Sequence, residues 1–253
     1  MNALRLAFGL LTAVPVGRLP EVSRRSAGAA ILLAPLTTAP LLVVLAGGHL
    51  LVAHAGTPAL VVAALVLVCA ALVTRAMHLD GLADTADGLS AGYDAESSLR
   101  AMKASDIGPS GVAAVVLTLL VQAACLTTLL PCAGGTVAAG LAWLAARQAL
   151  TWACRRGAPS AQQTGLGAMV AGTVHVAAAI TGSVGLAVAG WAVVRAAGGQ
   201  GWVGPLVVAV AVLSALALVR RATLRFGGIN GDVLGAVVEV ALTAGLVIAV
   251  LVR

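Results

Sequence analysis

Apolar stretches of about 20 residues alternate with short polar connections along the whole chain. Each stretch is long enough to cross the roughly 30 Å hydrocarbon core of a bilayer as a helix. The pattern predicts about seven membrane spans, at residues 27–47, 58–77, 109–130, 134–153, 173–194, 203–220 and 233–252. We therefore expect an all-α fold, a polytopic transmembrane helical bundle that forms a single integral membrane domain over residues 1–253.

The N-terminal residues depart from this pattern. An apolar stretch of about twelve residues is broken by Pro15 and flanked by Arg5 and Arg18. It is too short to span a bilayer, and no convincing cleavage site for a signal peptide follows it. Residues 1–25 are therefore expected to form a short interfacial or re-entrant segment.

Composition agrees with a membrane protein and excludes an ordinary soluble domain. The chain is 60% hydrophobic and 9% charged, with a mean hydropathy of +1.06, whereas soluble domains carry about 25% charged residues. The net charge of +6 then indicates orientation and contact with membrane lipid, and no nucleic-acid partner is expected. The four cysteines show no metal-binding spacing and are interpreted as small apolar residues.

The basic residues predict the orientation. If the N-terminus is cytoplasmic, twelve of the 15 basic residues fall on the cytoplasmic side of the seven-span arrangement. This asymmetry follows the positive-inside rule. It predicts a multi-pass protein of the cytoplasmic (inner) membrane with an odd number of spans. The active face of the protein is expected on the cytoplasmic side.

The acidic residues are concentrated in one segment. Six of the nine lie between residues 80 and 106, in a polar cytoplasmic segment at 78–108. Asp80, Asp84 and Asp87 are spaced i, i+4, i+7 and would share one face of a helix, where they repel one another. Carboxylate oxygens favour hard cations, and Mg²⁺ often combines one or two carboxylates with substrate phosphate oxygens. The spacing predicts a Mg²⁺ site, against the simpler reading of a solvated acidic face.

Two further segments supply candidate substrate contacts. Arg100 and Lys103 are three residues apart and would meet phosphate oxygens from one helix face, while Ser105 either binds substrate or caps the next helix. A glycine-rich segment at 227–235 carries Asn230 and Asp232. Asp232 is interpreted as a helix cap or a further metal ligand.

Two ionisable residues lie within predicted spans. Glu239 is on the same helix face as Asp232, and such intramembrane acids usually have a function. Arg147 is open to three readings: contact with a substrate anion, extension of its side chain to the interface, or pairing with Glu239.

Four motifs resemble the cobalamin synthases, the adenosylcobinamide-GDP ribazoletransferases. They occur in order along nearly the whole chain: LLTAVPV at 10–16, HLDGLADTADG at 78–88, MKASDIGPSG at 102–111 and GDVLGA at 231–236. The acidic motif is the most specific of them. Ile229, Asn230 and Asp106 depart from the expected pattern, which affects the details of substrate contact and leaves the three aspartates intact.

The resemblance implies a Mg²⁺-dependent enzyme of the inner membrane that completes the cobalamin nucleotide loop. A hydroxyl of α-ribazole, or of its 5′-phosphate, would displace GMP from adenosylcobinamide-GDP. Asp80, Asp84 and Asp87 would then be metal ligands, with Arg100, Lys103, Ser105, Asn230, Asp232 and Arg147 as substrate contacts. Asp84, Asp87 and His78 all remain candidates for the general base. A homo-oligomer is compatible with this reading.

Three alternatives fit parts of the pattern. A CDP-alcohol phosphatidyltransferase also uses an acidic helix, but its signature includes an Ala-Arg pair that is missing after Asp80-Gly81. A prenyltransferase usually has two separated acidic motifs, and Asp232 with Glu239 makes a weak second one. A cation transporter would place its acids near the bilayer midplane, where only Glu239 is expected.

Overall fold

The computed structural model describes residues 2–18, 22–92, 94–103 and 106–252. Within these ranges the chain forms helices and no β-sheet, which confirms the predicted all-α class. The helices are α1 (Asn2–Leu11), α2 (Arg24–Leu32), a short 3-10 helix (Ala34–Thr38), α3 (Ala39–Ala53), α4 (Ala59–Thr74), α5 (Met77–Ser90), α6 (Ala95–Ala101), α7 (Pro109–Leu129), α8 (Ala133–Ala153), α9 (Gly165–Val170), α10 (Val176–Ala196), α11 (Val203–Phe226) and α12 (Gly231–Leu251).

Each of the seven predicted apolar stretches overlaps one or more helices. Five helical segments in the described ranges have the length and apolar character to cross a membrane: Ala34–Ala53, α7, α10, α11 and α12. α4 and α5 together qualify as a sixth, although they are bent by 89°. α8, which coincides with the stretch at 134–153, is not among them and carries Arg147 and Gln148. The multi-pass membrane class is confirmed, while the count of seven and the side of the N-terminus stay predictions.

The first predicted span is wrong at its start. The chain over 27–47 is not one helix, because α2 ends at Leu32 and the apolar span begins at Ala34. Pro35 and Pro40 lie in the first turns of the 3-10 helix and of α3. Proline lacks the N–H that would continue a preceding helix and is accommodated at a helix start.

α8 and α12 lie at the centre of the bundle. α12 packs against α5, α7, α8 and α11, and small residues allow a close approach, as where Gly245 faces Ala142. The outer helices expose large apolar side chains, among them Leu72, Val188 and Leu213. A belt of this kind is suited to contact with lipid chains.

The N-terminal segment folds back on the bundle. Leu6 and Ala7 of α1 pack against Ala30 of α2, and Arg5 Nη2 donates to the carbonyl of Val16 at 2.5 Å. The ten residues of α1 rise about 15 Å, half the thickness of the hydrocarbon core. Its depth in the bilayer stays a prediction.

Candidate active site

The direction of the acidic helix α5 is determined by a sharp corner at the end of α4. Arg75 and Ala76 both have left-handed backbone, with φ of 54° and 53°, a conformation that costs an L-residue about 1–2 kcal/mol. The amide of Ala76 donates to the carbonyl of Ala71 at 2.7 Å, which closes the last turn of α4. The chain thereby turns by 89°, so that α5 runs across the end of α4. With 14 residues, three of them aspartates, α5 does not qualify as a membrane span by itself.

Two glycines bring α5 against α12 at backbone distance. A Cβ atom at Gly81 would lie 2.6 Å from the carbonyl oxygen of Asp232, and one at Gly235 would lie 3.1 Å from the carbonyl oxygen of Met77. Any side chain at Gly81 would push the helices apart, because real Cβ contacts are not that short. This crossing places Asp232 beside the acidic face of α5.

Asp80, Asp84 and Asp232 form a carboxylate cluster at this crossing. Burial, followed by the charges of Asp232, Asp80 and Asp87, raises the pKa of Asp84 to about 6. In the described parts of the chain, the one ion pair within 4 Å joins Arg100 to Glu96. The carboxylate cluster therefore has no paired cationic side chain there, so a bound cation would reduce the repulsion among its charges.

The predicted Mg²⁺ site is not pre-assembled by protein atoms alone. Within the described residues, no three His, Cys, Asp or Glu side chains are close enough to hold a metal ion. The donor set nevertheless fits Mg²⁺, which keeps several waters and commonly binds to one or two carboxylates together with substrate phosphate. Asp80 is exposed and Asp84 and Asp232 are half-buried, so their oxygens remain accessible to such an ion.

Asp87 has a different environment from its neighbours. Its Oδ2 accepts a hydrogen bond from the amide of Gly108 at 2.7 Å, and its Oδ1 accepts one from the amide of Gly111 at 2.8 Å. A Cβ at either glycine would collide with the Asp87 carboxylate. The side chain therefore caps the N-terminus of α7, where the helix dipole also favours a negative charge.

The cap predicts that Asp87→Asn destabilises the fold. Asparagine keeps one acceptor oxygen but turns a donor NH₂ toward a backbone N–H, and hydrogen bonds to a charged group contribute about 1.5–3 kcal/mol. We expect the free energy of unfolding to fall by about 2 kcal/mol, and the amides of Gly108 and Gly111 to exchange hydrogen faster. Denaturant unfolding and hydrogen exchange in lipid nanodiscs would measure both. If both were unchanged while Mg²⁺ binding was lost, Asp87 would be a metal ligand, as its spacing predicts.

His78 and Arg147 meet in the core of the bundle. Arg147 is 1% exposed, and its Nη1 lies 3.1 Å from His78 Nε2 and 3.5 Å from the carbonyl of Leu11. Because a guanidinium only donates, Nε2 must accept and the proton of the neutral ring is on Nδ1. In this arrangement His78 has no nitrogen left to take a proton from substrate.

Glu239 lies in the same buried environment but is not in hydrogen-bond contact with Arg147. Gln122 donates to Glu239 Oε2 at 2.9 Å and to the hydroxyl of Thr243 at 3.0 Å. His78, Gln122, Arg147 and Glu239 line a cavity of about 30 Å³, which is room for about one water molecule. Arg147 Nε is buried without a partner and is a natural donor to such a water. Of the three readings of Arg147, extension to the interface is therefore wrong.

The remaining candidate substrate contacts are dispersed. Arg100 on α6 bonds Glu96 at 2.7 Å, and it and Lys103 are exposed beside the end of α5. Ser105 lies outside the described residues. Asn230 is buried and caps α12, since its Oδ1 accepts from the amide of Val233 and its Nδ2 donates to Asp232 Oδ2, both at 2.9 Å. It therefore orients a member of the carboxylate cluster.

Two residues outside the predicted contacts also shape this end of the bundle. Arg225 at the end of α11 donates from Nη2 to the carbonyl of Ala91 at 2.5 Å and holds the C-terminal end of α5. Gly228 packs against the carbonyl of Pro159, at 2.5 Å from its added Cβ, so this glycine serves close loop packing. The signal available in the sequence was the glycine beside each acid, Gly81 after Asp80 and Gly235 near Asp232.

A cavity of about 210 Å³ opens beside the carboxylate cluster. Asp80 and Asp232 lie in its wall. The rest is mainly apolar, with side chains from six helices: Leu10, Leu11, Ile31, Met77, Leu150, Leu166, Leu234 and Val238. We call this space the acidic-wall cavity.

Together, the fold and the site define a multi-pass helical membrane protein with a carboxylate cluster at one end of its bundle. Residues 3–250 match the family described as cobalamin-5-phosphate synthase, and the chain belongs to that family. This confirms the resemblance carried by the sequence motifs.

Curated relatives cover almost the full chain. An adenosylcobinamide-GDP ribazoletransferase of a Nocardioides species is 41% identical over 249 residues, which are 97% of this chain and 96% of the relative. The enzyme of the same name from Frankia casuarinae is 38% identical, with 98% and 94% covered. That of Bradyrhizobium diazoefficiens is 35% identical, with 92% and 87% covered. No solved structure matches the chain.

Proposed function

We propose that the chain is an adenosylcobinamide-GDP ribazoletransferase with a Mg²⁺-dependent mechanism. It transfers the adenosylcobinamide phosphoryl group from adenosylcobinamide-GDP to α-ribazole, or to its 5′-phosphate, and releases GMP. Family membership over residues 3–250 and the names of the relatives support the reaction. The structural observation that carries the proposal is the carboxylate cluster without a paired cationic side chain among the described residues.

The reaction is one in-line phosphoryl transfer. A ribose hydroxyl of the acceptor forms a bond to the phosphorus next to cobinamide, and the bond from that phosphorus to GMP breaks. The hydroxyl proton passes to a carboxylate of the cluster or to a water held by it, and GMP leaves as an anion. Such a transfer depends mainly on positioning and on charge neutralisation.

One or two carboxylates from the group Asp80, Asp84 and Asp232 would hold the Mg²⁺ together with the substrate, and the ion would neutralise charge on the diphosphate and on the leaving group. Asn230 fixes the Asp232 carboxylate through its 2.9 Å hydrogen bond. Arg100 and Lys103 are exposed and would meet the phosphates of an incoming donor. Asp87 supports the site as the cap of α7.

We propose that the carboxylate cluster faces the cytosol in the cytoplasmic membrane. Arg225 connects the basic end of α11 to the end of α5, so the Arg220–Arg221–Arg225 group and the acidic helix share one end of the bundle. Cytoplasmic ends of membrane helices carry such an excess of arginine. This orientation gives the enzyme access to water-soluble nucleotides.

The test is a direct assay of GMP release. Purified protein in lipid nanodiscs should release GMP from adenosylcobinamide-GDP when α-ribazole and Mg²⁺ are both present, and omission of either should stop the release. The same preparation should show no CMP release from a CDP-alcohol lipid with an alcohol acceptor. Absence of GMP together with CMP release would replace this proposal by a phosphatidyltransferase function.

A further inference from the structure

We propose that the acidic-wall cavity binds the aromatic base of the acceptor nucleoside, and that the carboxylates in its wall face the nucleoside's ribose. This inference rests on the proposed function, since it takes α-ribazole or its 5′-phosphate as the acceptor. It adds which part of the substrate enters the bundle and which residues select it.

The size of the cavity selects a small group. A dry apolar cavity of about 150 Å³ accepts benzene, so the 210 Å³ here is suited to a bicyclic aromatic ring. Sites that enclose a whole drug-sized ligand are about 300–1,000 Å³. A corrinoid is larger still and stays outside the cavity.

The apolar wall favours the dimethylbenzimidazole of the acceptor over the guanine of the donor. Leu10, Ile31, Leu150 and Leu234 present only apolar surface. Guanine carries several donors and acceptors that would lose their hydrogen bonds to water on entering such a wall, at a cost of about 1–3 kcal/mol for each unpaired group. The dimethylbenzimidazole base of α-ribazole has two methyl groups and one unsubstituted ring nitrogen. It therefore loses few hydrogen bonds to water on entering the cavity.

The position of the carboxylates then orients the nucleoside. Asp80 and Asp232 form the acidic part of the wall and also belong to the carboxylate cluster. His78, the other polar side chain of the lining, is engaged by Arg147. With the base among the leucines, the ribose lies toward these two aspartates, where its hydroxyl meets the diphosphate of the donor. Binding energy from the non-reacting base thus positions the reacting oxygen.

Gly231 offers a way to fill the cavity without breaking the fold. It lines the cavity, and a Cβ added there would meet only atoms of Leu166, at 3.9 Å. Gly185, on the outer face of α10, has nothing within 4 Å of an added Cβ. Gly231→Leu and Gly185→Leu are therefore a matched pair, each adding the same side chain at an open helical position.

The experiment measures binding of α-ribazole to the protein in nanodiscs without donor, through the fluorescence of its base, and the KM of donor and acceptor in the GMP assay. We expect Gly231→Leu to weaken α-ribazole binding and to raise the acceptor KM by about tenfold or more, as pocket changes of this size do. The donor KM should stay within about twofold, and Gly185→Leu should match the parent. The α-nucleoside of unsubstituted benzimidazole should lose less affinity than α-ribazole.

Equal acceptor binding by the two leucine variants, in a parent that releases GMP, would overturn the cavity assignment and leave the proposed function standing. That is also the result expected if a lipid acyl chain fills the cavity. A second variant guards against a local effect on Asp232: Leu166→Ala, which removes a partly exposed wall residue, should also weaken α-ribazole binding. An unchanged affinity in Leu166→Ala together with an unchanged donor KM would equally contradict the assignment.

Discussion

Asp84→Asn is expected to lower GMP release by at least about 100-fold, since a metal-assisted contribution of roughly 3 kcal/mol would be lost. The substitution keeps the shape of the side chain and removes one charge from the carboxylate cluster. It also relieves the repulsion that helps to raise the pKa of Asp84 to about 6. The melting temperature without Mg²⁺ should therefore stay the same or rise while activity falls.

The measurement is GMP release at saturating substrate, together with thermal unfolding across a Mg²⁺ titration. A bound ion stabilises the parent by mass action, and this shift should disappear in Asp84→Asn. Asp94→Asn is the matched control, because Asp94 is an exposed acid in the same segment that caps α6, and asparagine caps equally well. Parent-like activity and Mg²⁺ shift in Asp84→Asn would refute the cluster as the metal site.

Arg147→Met is expected to lower the free energy of unfolding by about 3 kcal/mol. The change removes the partner of His78 Nε2 and leaves Glu239 as the remaining acidic group of the small buried cavity. An uncompensated buried charge is more destabilising than the loss of packing, which methionine largely conserves. Denaturant unfolding in mixed micelles would measure the effect.

The double variant Arg147→Met with Glu239→Gln tests the cause. If electrostatic coupling is responsible, removing the second charge should restore part of the lost stability, so the two effects will not add. Arg195→Met, at an exposed position near the end of α10, should behave like the parent. A parent-like unfolding curve with a raised donor KM would instead support the sequence-based interpretation of Arg147 as a substrate contact.

The helical class and most spans followed from the sequence, because an apolar run of about 20 residues has few stable structures other than a membrane-spanning helix. The corner between α4 and α5 did not, because Arg75 and Ala76 are not residues that favour left-handed backbone. Nor did the break at Leu32, where the apolar pattern continues unchanged through Pro35. Local residue propensities do not predict a turn or a helix break that is determined by tertiary contacts.

The sequence predicted where the candidate site lies, but not which aspartate binds a cation and which one caps a helix. The i, i+4, i+7 spacing groups Asp87 with Asp80 and Asp84, yet only the fold brings Gly108 and Gly111 to its carboxylate. The crossing at Gly81 likewise brings in Asp232, 152 positions after Asp80 in the printed numbering. Spacing within one helix cannot reveal partners that depend on how helices cross.

The length of α4 has a consequence for where the reaction takes place. Its 16 residues rise about 24 Å, several ångströms less than the hydrocarbon thickness of about 30 Å. With the corner directly at its end, α4 ties the position of the carboxylates along the bundle axis to the length of this one helix. One residue more or fewer would shift α5 by about 1.5 Å and rotate it by about 100°, away from α12. The length of α4 thus determines both the position of the carboxylates along the bundle axis and the direction in which α5 runs.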